Sequence, residues 1–444
     1  MNPNIFKGLD IRGRYPEEIN EDLMDRIGNA FAQFVSRDIV VACDARNESP
    51  ALMNAFMNGA LKAEKTVMNI GIVPQAVALN WGVTQQMEVA YITASHTPKG
   101  HAGVKLFHAD GTIYNDNENT NVLDVVRSEK YFSRIRATPV REEAEDILNI
   151  YVRNITGRIK SEAKKKTKIL LDCGNGVNGI VAKRVFTAAG FNADVIFENP
   201  DGNFPNRGPD PKTDPMTELK KKVAKYDFGI AYDADGDRFF VMTGSGKIIP
   251  TEHVVHVLLS GISGPGDVVT NIDCGRALES VANKFNRKVV RVPVGVFHME
   301  GAVLSYKAAL GIESSQHCFV PSIIGFSDAI AASMLFSKVI QESGRTLEEF
   351  VKDVPSYPAA RKNYNCANEK KAEVMDRIEK TILDKYGKLD KTEGIRVELE
   401  KGFVLVRPSK TEDIIRLTAE ADTEEELRRL ESEFSAVVEK GLSL

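Results

Sequence analysis

The stretch AYDADGDRFF holds three carboxylates at alternate positions, Asp233, Asp235 and Asp237, with Arg238 directly behind them. Like charges so close repel one another, and a hard divalent cation held by oxygen ligands is the usual compensation. An EF-hand is excluded, because its sixth position would be Arg238 rather than glycine and its twelfth Gly244 rather than a bidentate glutamate. Three oxygen ligands leave room for a phosphate oxygen, the arrangement in which Mg²⁺ serves phosphoryl transfer. A second stretch, YITASHTPKGHAGVKLF (Tyr91 to Phe107), puts the hydroxyl of Ser95, the imidazole of His96 and the amine of Lys105 around one glycine-containing loop. In RPSKTED, Arg407, Ser409 and Thr411 gather a guanidinium and two hydroxyls, donors suited to a phosphate. Glu313 and Ser315 offer acceptors for sugar hydroxyls, with His317 beside them, and Arg12 stands in a short DIRG turn. Each stretch also reads as a plain polar turn. Their occurrence together is the argument for chemistry.

Other candidates carry less. His253 and His256 lie one helical turn apart with no third ligand in view and read as helix packing, while His101 and His108 lack metal-like spacing. Trp81, Met53 and Met57 read as core.

The elements that must position these loops recur. DIVVACD (Asp38 to Asp44) is a buried strand by its continuous β-branched run. Ser49 as N-cap with Pro50 behind it opens a helix to about Lys65, and TVMNIGIV (Thr66 to Val73) is a second strand stopped by Pro74. A further helix leads to the strand that delivers Ser95. The same order returns with KILLDCGNG, NADVIF and FGIAYDADGDR, and again with DVVTNIDCGRA, KVVRVPVG and LGIESSQH. Asp-Cys-Gly at 172–174 recurs at 273–275, and Cys43-Asp44 stands at the matching place in the first unit. Units about 100 residues apart with one element order predict a triplicated α/β domain rather than a solenoid of shorter repeats. Ligands of such sheets collect beyond the carboxyl ends of the strands, so the Ser95, Asp233 and Glu313 loops are expected to face one central cleft.

The C-terminal region is different: a helix from about Asn368 to Tyr386, strands at Gly394 to Leu399, Gly402 to Arg407 and Ile414 to Ala421, and a closing helix. Thr423 and Glu426 form a capping box for that helix, whose apolar face is Leu427, Leu430, Phe434, Val437 and Val438. The expected division is 1–146, 147–246 and 247–356 as similar α/β domains and 357–444 as a small α+β domain.

Composition sets the outer bounds. With 58 basic and 62 acidic side chains, the net charge of −4 makes no electrostatic case for a nucleic-acid or membrane partner. Five scattered cysteines without a C-x-x-C pair read as reduced thiols. No charged-then-apolar leader or membrane-length apolar run is evident, so a cytoplasmic location is expected.

Taken together, TASH, DADGDR, E-x-S-x-H and RPSKTE resemble the four active-site loops of the α-D-phosphohexomutases, the phosphomannomutase and phosphoglucomutase family, in order and over nearly the whole chain. The resemblance implies a phosphoserine at Ser95 with His96 beside it, and Mg²⁺ held by Asp233, Asp235, Asp237 and the phosphorylated Ser95. It implies catalytic roles for Lys105, Arg12 and His317, and substrate binding by Arg238, Glu313, Ser315, Arg407, Ser409 and Thr411. The implied reaction interconverts hexose 1-phosphate and 6-phosphate, of mannose or glucose, through a bisphosphorylated hexose, in a monomer or homodimer. Departures fall at Thr97, where the family usually has Asn, at Gln316, where it usually has Gly, and at Asp273 and Val296, where mannose/glucose members tend to carry Lys and His. They leave phosphoglucosamine mutase, phosphopentomutase and a catalytically silent sugar-phosphate sensor as alternatives. A hydrolase of the alkaline-phosphatase kind is disfavoured, since its two-metal histidine cluster cannot be assembled here.

Overall fold

The computed structural model describes residues 3–6, 10–133, 140–141, 144–164, 166–409 and 413–443. The first sheet contains β1 (Ile11–Arg14), β2 (Ile39–Cys43), β3 (Val67–Ile72), β4 (Glu88–Ile92), β5 (His101–Phe107) and β6 (Val140–Arg141), in the order β1-β5-β4-β2-β3-β6. Every residue of β2 is buried. Ile39, Val41 and Cys43 join one apolar cluster, whereas Val40 and Ala42 join another, so the two-residue period of the strand feeds helices on both faces.

The second sheet is built from β7 (Lys168–Asp172), β8 (Asn192–Ile196), β9 (Phe228–Tyr232) and β10 (Phe239–Thr243), ordered β10-β9-β7-β8. The third has β11 (Val268–Asn271), β12 (Val289–Val292), β13 (Leu310–Ile312) and β14 (Cys318–Phe319), ordered β12-β11-β13-β14. The triplication is visible in the pairing. In each unit the first strand is central, the second and third flank it in parallel, and a fourth returns antiparallel beside the third. The Ser95, Asp233 and Glu313 loops therefore occupy one topological position, the turn from third strand to antiparallel fourth. The largest apolar cluster runs through all three units, from Val40 to Val354.

The last domain is an antiparallel sheet of β15 (Ala359–Asn365), β16 (Ile395–Leu399), β17 (Gly402–Pro408) and β18 (Ile414–Ala421), ordered β15-β18-β17-β16. Strict alternation of buried residues along β18 shows one face covered, by helices Lys371–Tyr386 and Glu424–Ser443. Leu427, Leu430, Phe434 and Val438 are buried on the closing helix, with Val437 half-buried.

Two local expectations change. Ser49 is the first helical residue rather than the cap, with Glu48 at the cap position, and its hydroxyl donates to Asp44 Oδ1 (2.6 Å). Only half of the capping box at Thr423 forms, because the Glu426 amide reaches Thr423 Oγ1 (3.2 Å) while its carboxylate binds Arg429. Helix Ala144–Thr156 spans the expected division at 146/147. All five cysteines are buried and unpaired. Among the described residues, no helix is long and apolar enough to cross a membrane.

Candidate active site

Ser95 follows the fully buried β4, itself buried and in the left-handed region at φ 52°. A side chain in that conformation costs about 1–2 kcal/mol, so the surrounding contacts must fix it. Ser95 N donates to Thr93 Oγ1 (2.7 Å), and the buried guanidinium of Arg46 binds the carbonyls of Ser95 (2.8 Å), Thr97 (2.6 Å), Pro98 (3.2 Å) and His101 (3.3 Å). Arg46 Nε is held in turn by Asp44 Oδ2 (3.2 Å). Thr97 closes the turn through its hydroxyl to Ala94 O (2.7 Å), so the departure here keeps a loop-closing function. Ser95 Oγ lies 3.2 Å from His96 Nδ1. Burial, and then the Arg238 and Arg12 cations, push His96 down to about 2, leaving a neutral imidazole beside the hydroxyl. Arg12 stands on β1, paired across to Gly103 of β5, in an ion pair with Asp10.

Asp233, Asp235 and Asp237 are buried, with one oxygen of each lying within 4.8 Å of the others. Gly236 allows the turn: its φ is +80°, and a Cβ there would come 2.2 Å from Asn178 Oδ1. The donor set fits a hard divalent cation. Asp233 Oδ2 and Asp235 Oδ1 are buried oxygens with no hydrogen-bond partner among the described residues, a costly state that a bound cation relieves. Burial, followed by Asp237 and Asp235, drives the Asp233 carboxyl well above the usual range. Burial acts likewise on Asp237 but is outweighed by His317 and Lys105, which hold it well below. Lys105, from β5, donates to Asp235 Oδ2 (2.7 Å), Asp237 Oδ2 (2.8 Å) and Gln75 Oε1 (2.7 Å). Burial opposes its charge, but the two carboxylates raise its pKa.

Loop three meets loop two directly, through an isolated antiparallel bridge between Arg238 and His317. His317 Nδ1 is 2.6 Å from Glu313 Oε2 and its Nε2 3.1 Å from Asp237 Oδ1. Burial opposes protonation of this ring, yet Asp237 and Glu313 raise its pKa despite Arg238 Nε at 3.1 Å. Glu313 is held down to about 2 against burial, chiefly by His317, and accepts from Ser315 Oγ (3.0 Å) and Gly295 N (3.1 Å). Gln316, at the usual place of a glycine, adopts a left-handed φ of 71°. Val296 packs half-buried against the core.

Arg407, at the end of β17, contacts Glu393 Oε1 (3.3 Å), and Glu393 Oε2 accepts from Val294 N (2.6 Å), the amide next to the one that holds Glu313. Ser409 is buried and its carbonyl accepts from Lys371 Nζ (2.7 Å). Thr411 lies outside the described residues. One line of contacts thus joins Ser95, Thr93, Asp235, Lys105, Asp237, His317 and Glu313, and Arg407 of the last domain connects to the third through Glu393 and Val294.

Sequence reasoning missed the braces. Arg207 donates to Asp172 Oδ1 (2.9 Å) and to Tyr232 O (2.5 Å), the carbonyl just before the carboxylate triad. Asp44 anchors Arg46 and Thr93 in the equivalent way. The signal was the aspartate repeated at or just beyond the end of the first strand of each unit.

Residues 3–132, 149–246 and 253–357 match phosphoglucomutase/phosphomannomutase alpha/beta/alpha domains I, II and III, and residues 362–437 match the C-terminal domain of the same family. A Methanopyrus kandleri protein named "Probable phosphoglucosamine mutase" is 31% identical over 443 residues, 98% of each chain. A Thermococcus kodakarensis protein named "Phosphopentomutase" is 30% identical over 434 residues, 95% of this chain and 94% of that one. A solved phosphoglucomutase/phosphomannomutase family protein from Burkholderia thailandensis superposes with a TM-score of 0.89 at 23% identity, covering 99% of this chain and 98% of the other. That last likeness is one of fold.

Proposed function

The chain belongs to the phosphoglucomutase/phosphomannomutase family of sugar-phosphate mutases, and on that premise we propose that it moves phosphate between C1 and C6 of a hexose through a phosphorylated Ser95. The observation that carries this reading is Ser95 itself, buried and left-handed, tied through Thr93 to the carboxylate triad of the neighbouring domain. The phosphorus–oxygen bond to Ser95 breaks as a sugar hydroxyl oxygen bonds to phosphorus. The hydroxyl gives up one proton and the departing Ser95 oxygen takes up one. His317, favoured in its protonated form, is the proton donor of this scheme, while Lys105, whose three donors go to Asp235, Asp237 and Gln75, stays charged beside the triad. The hydroxyl proton leaves late in the loose transfer and passes to a phosphoryl oxygen. His96, pushed down to about 2, stays neutral beside Ser95 and is too weak a base to take it. The bisphosphorylated sugar then turns within the cleft and returns its other phosphate to Ser95. Asp233, Asp235 and Asp237, joined by phospho-Ser95, would hold Mg²⁺, which supplies charge neutralisation at the phosphoryl oxygens. Arg407 and Ser409 grip the phosphate that is not reacting, while Glu313 and Ser315 read sugar hydroxyls.

Among sugars, the reading moves from mannose and glucose towards glucosamine. What supports this is the name of the Methanopyrus kandleri relative, since Glu313 is paired with His317 and Asp273 faces Arg361, which leaves neither as a spare counter-ion for a 2-amino group. Assay of glucosamine, glucose, mannose and pentose 1-phosphates side by side, with intact-mass measurement for one phosphate on Ser95, tests this. Fastest turnover of glucosamine 1-phosphate is expected; a protein without Ser95 phosphate or mutase turnover would be a sensor instead.

A further inference from the structure

The segment 206–216, between β8 and the helix Thr217–Val223, is braced against the carboxylate loop. Pro209 O accepts from Ala234 N (3.2 Å), Gly208 N donates to Asp214 Oδ2 (2.8 Å), and Lys212 N donates to Asp210 Oδ1 (2.9 Å). From this base Lys212 reaches over to the third domain, where its Nζ donates to the carbonyl of Ser314 (3.2 Å), the residue between Glu313 and Ser315. Ser314 Oγ donates to Asp273 Oδ1 (3.1 Å), and Asp273 Oδ2 faces Arg361 Nη2 of β15 across 3.7 Å. Three domains thus bring Lys212, Asp273 and Arg361 to one edge of the cleft.

Cations gather at this edge. Lys212 and Arg361 share Asp273 as an acidic neighbour, and Arg407 and Arg416 lie near Arg361, while Arg238 is matched by Asp233 and Asp237 and Arg407 by Glu393. The surrounding protein, then Arg361, lowers the pKa of Lys212, although the side chain as a whole is exposed to solvent and open to a ligand. Among the described residues its one hydrogen bond goes to a backbone carbonyl, leaving two of its three donors for a ligand. The Arg361 contact with Asp273 is too long for a hydrogen bond and 40% exposed on the arginine side, a weak pair that exchanges readily. A doubly charged phosphate monoester satisfies all of these demands at once.

We propose that Lys212 is a substrate-phosphate ligand, holding together with Arg361 the phosphate of the bound sugar that is not being transferred. The inference rests on the sugar-phosphate mutase reading and adds to it a phosphate ligand from the second domain. The test compares Lys212→Met, Lys212→Arg and Arg361→Met with the wild-type protein. It records kcat and KM for the sugar 1-phosphate that the wild-type turns over fastest, the Kd for inorganic phosphate, the melting temperature, and the phosphate content of Ser95 by intact mass. Lys212→Met is expected to raise KM and Kd about tenfold or more, with kcat, melting temperature and Ser95 phosphate close to wild-type, and Lys212→Arg to restore most of the loss. Unchanged KM and Kd in Lys212→Met and Arg361→Met, beside an active and phosphorylated wild-type, would overturn the inference and leave the mutase reading standing. A loss confined to kcat or to melting temperature would overturn it as well. A wild-type protein with neither Ser95 phosphate nor turnover would overturn both.

Discussion

The ammonium of Lys105 lies 2.7 Å from Asp235 Oδ2, so a residue of the Ser95 domain is the immediate counter-ion of the carboxylate loop in the next. The contact is buried on both sides and does two things: it offsets the mutual repulsion of the triad, and it fixes how the two domains meet. Removing one partner of such a pair costs about 3–5 kcal/mol, because the charge left behind stays buried. Lys105→Met is therefore expected to melt well below the wild-type protein without metal. Adding Mg²⁺ should raise its melting temperature by more than it raises that of the wild-type. Equal melting temperatures without metal would show that the pair does not hold the domains.

The orphaned oxygens of Asp233 and Asp235 make a second expectation. A ligand that binds only the folded state stabilises it by about 2.7 kcal/mol at one hundred times its Kd. The wild-type protein should thus gain melting temperature with Mg²⁺, whereas Asp233→Asn should gain little and lose mutase turnover by about two orders of magnitude or more. A Mg²⁺ shift unaltered by Asp233→Asn would place the cation elsewhere.

Arg46 is a positioning residue, since it touches the backbone of the Ser95 loop rather than its hydroxyl. Arg46→Met would leave four carbonyls short of a donor and Asp44 buried without its cation. We expect about 3 kcal/mol of lost stability. Phosphate on Ser95 should fall too, because the left-handed turn that presents the hydroxyl is no longer enforced. Arg46→Lys should recover some of the stability but not the occupancy, as one ammonium cannot span the same carbonyls. Full Ser95 phosphorylation in Arg46→Met would contradict the role.

The triplication, and the three loops at one topological position, were legible because strand periodicity and the repeated Asp-Cys-Gly turn are local signals. Asp233, Asp235 and Asp237 were legible for the same reason, their spacing being in the sequence itself. What was hidden is what pairs across distance. The Asp235 that holds Lys105 charged lies 130 residues away in sequence. Nothing near Arg46 and Arg207 in sequence shows that they are buried under the turns they brace. Ser49 misled for a related reason: a serine before proline satisfies the local rule for a cap, but Asp44 offers its hydroxyl a better partner.

Glu300, on helix Val296–Ser305, carries the last prediction, about pH. It is 3% exposed, and its Oε2 accepts from Ile113 N (2.7 Å), so a carboxyl of the third domain is buried against the first. Burial pushes its pKa up from 4.5 to about 8, the one backbone donor only partly offsetting the cost of charge. Below the unfolded value both states hold the proton and the group contributes nothing to pH dependence. Between about 4.5 and 8 the unfolded chain has released it while the native state keeps it, so this group makes stability fall as pH rises, levelling off above the folded value. Glu300→Gln keeps an oxygen for Ile113 and has no proton to lose. At pH 5 the two proteins should therefore be similar in stability, and by pH 8.5 the variant should be the more stable by roughly 2–4 kcal/mol. Denaturant titrations of both proteins at those two pH values check this, and curves that stay parallel across the range would show that the carboxyl ionises without penalty in the native state.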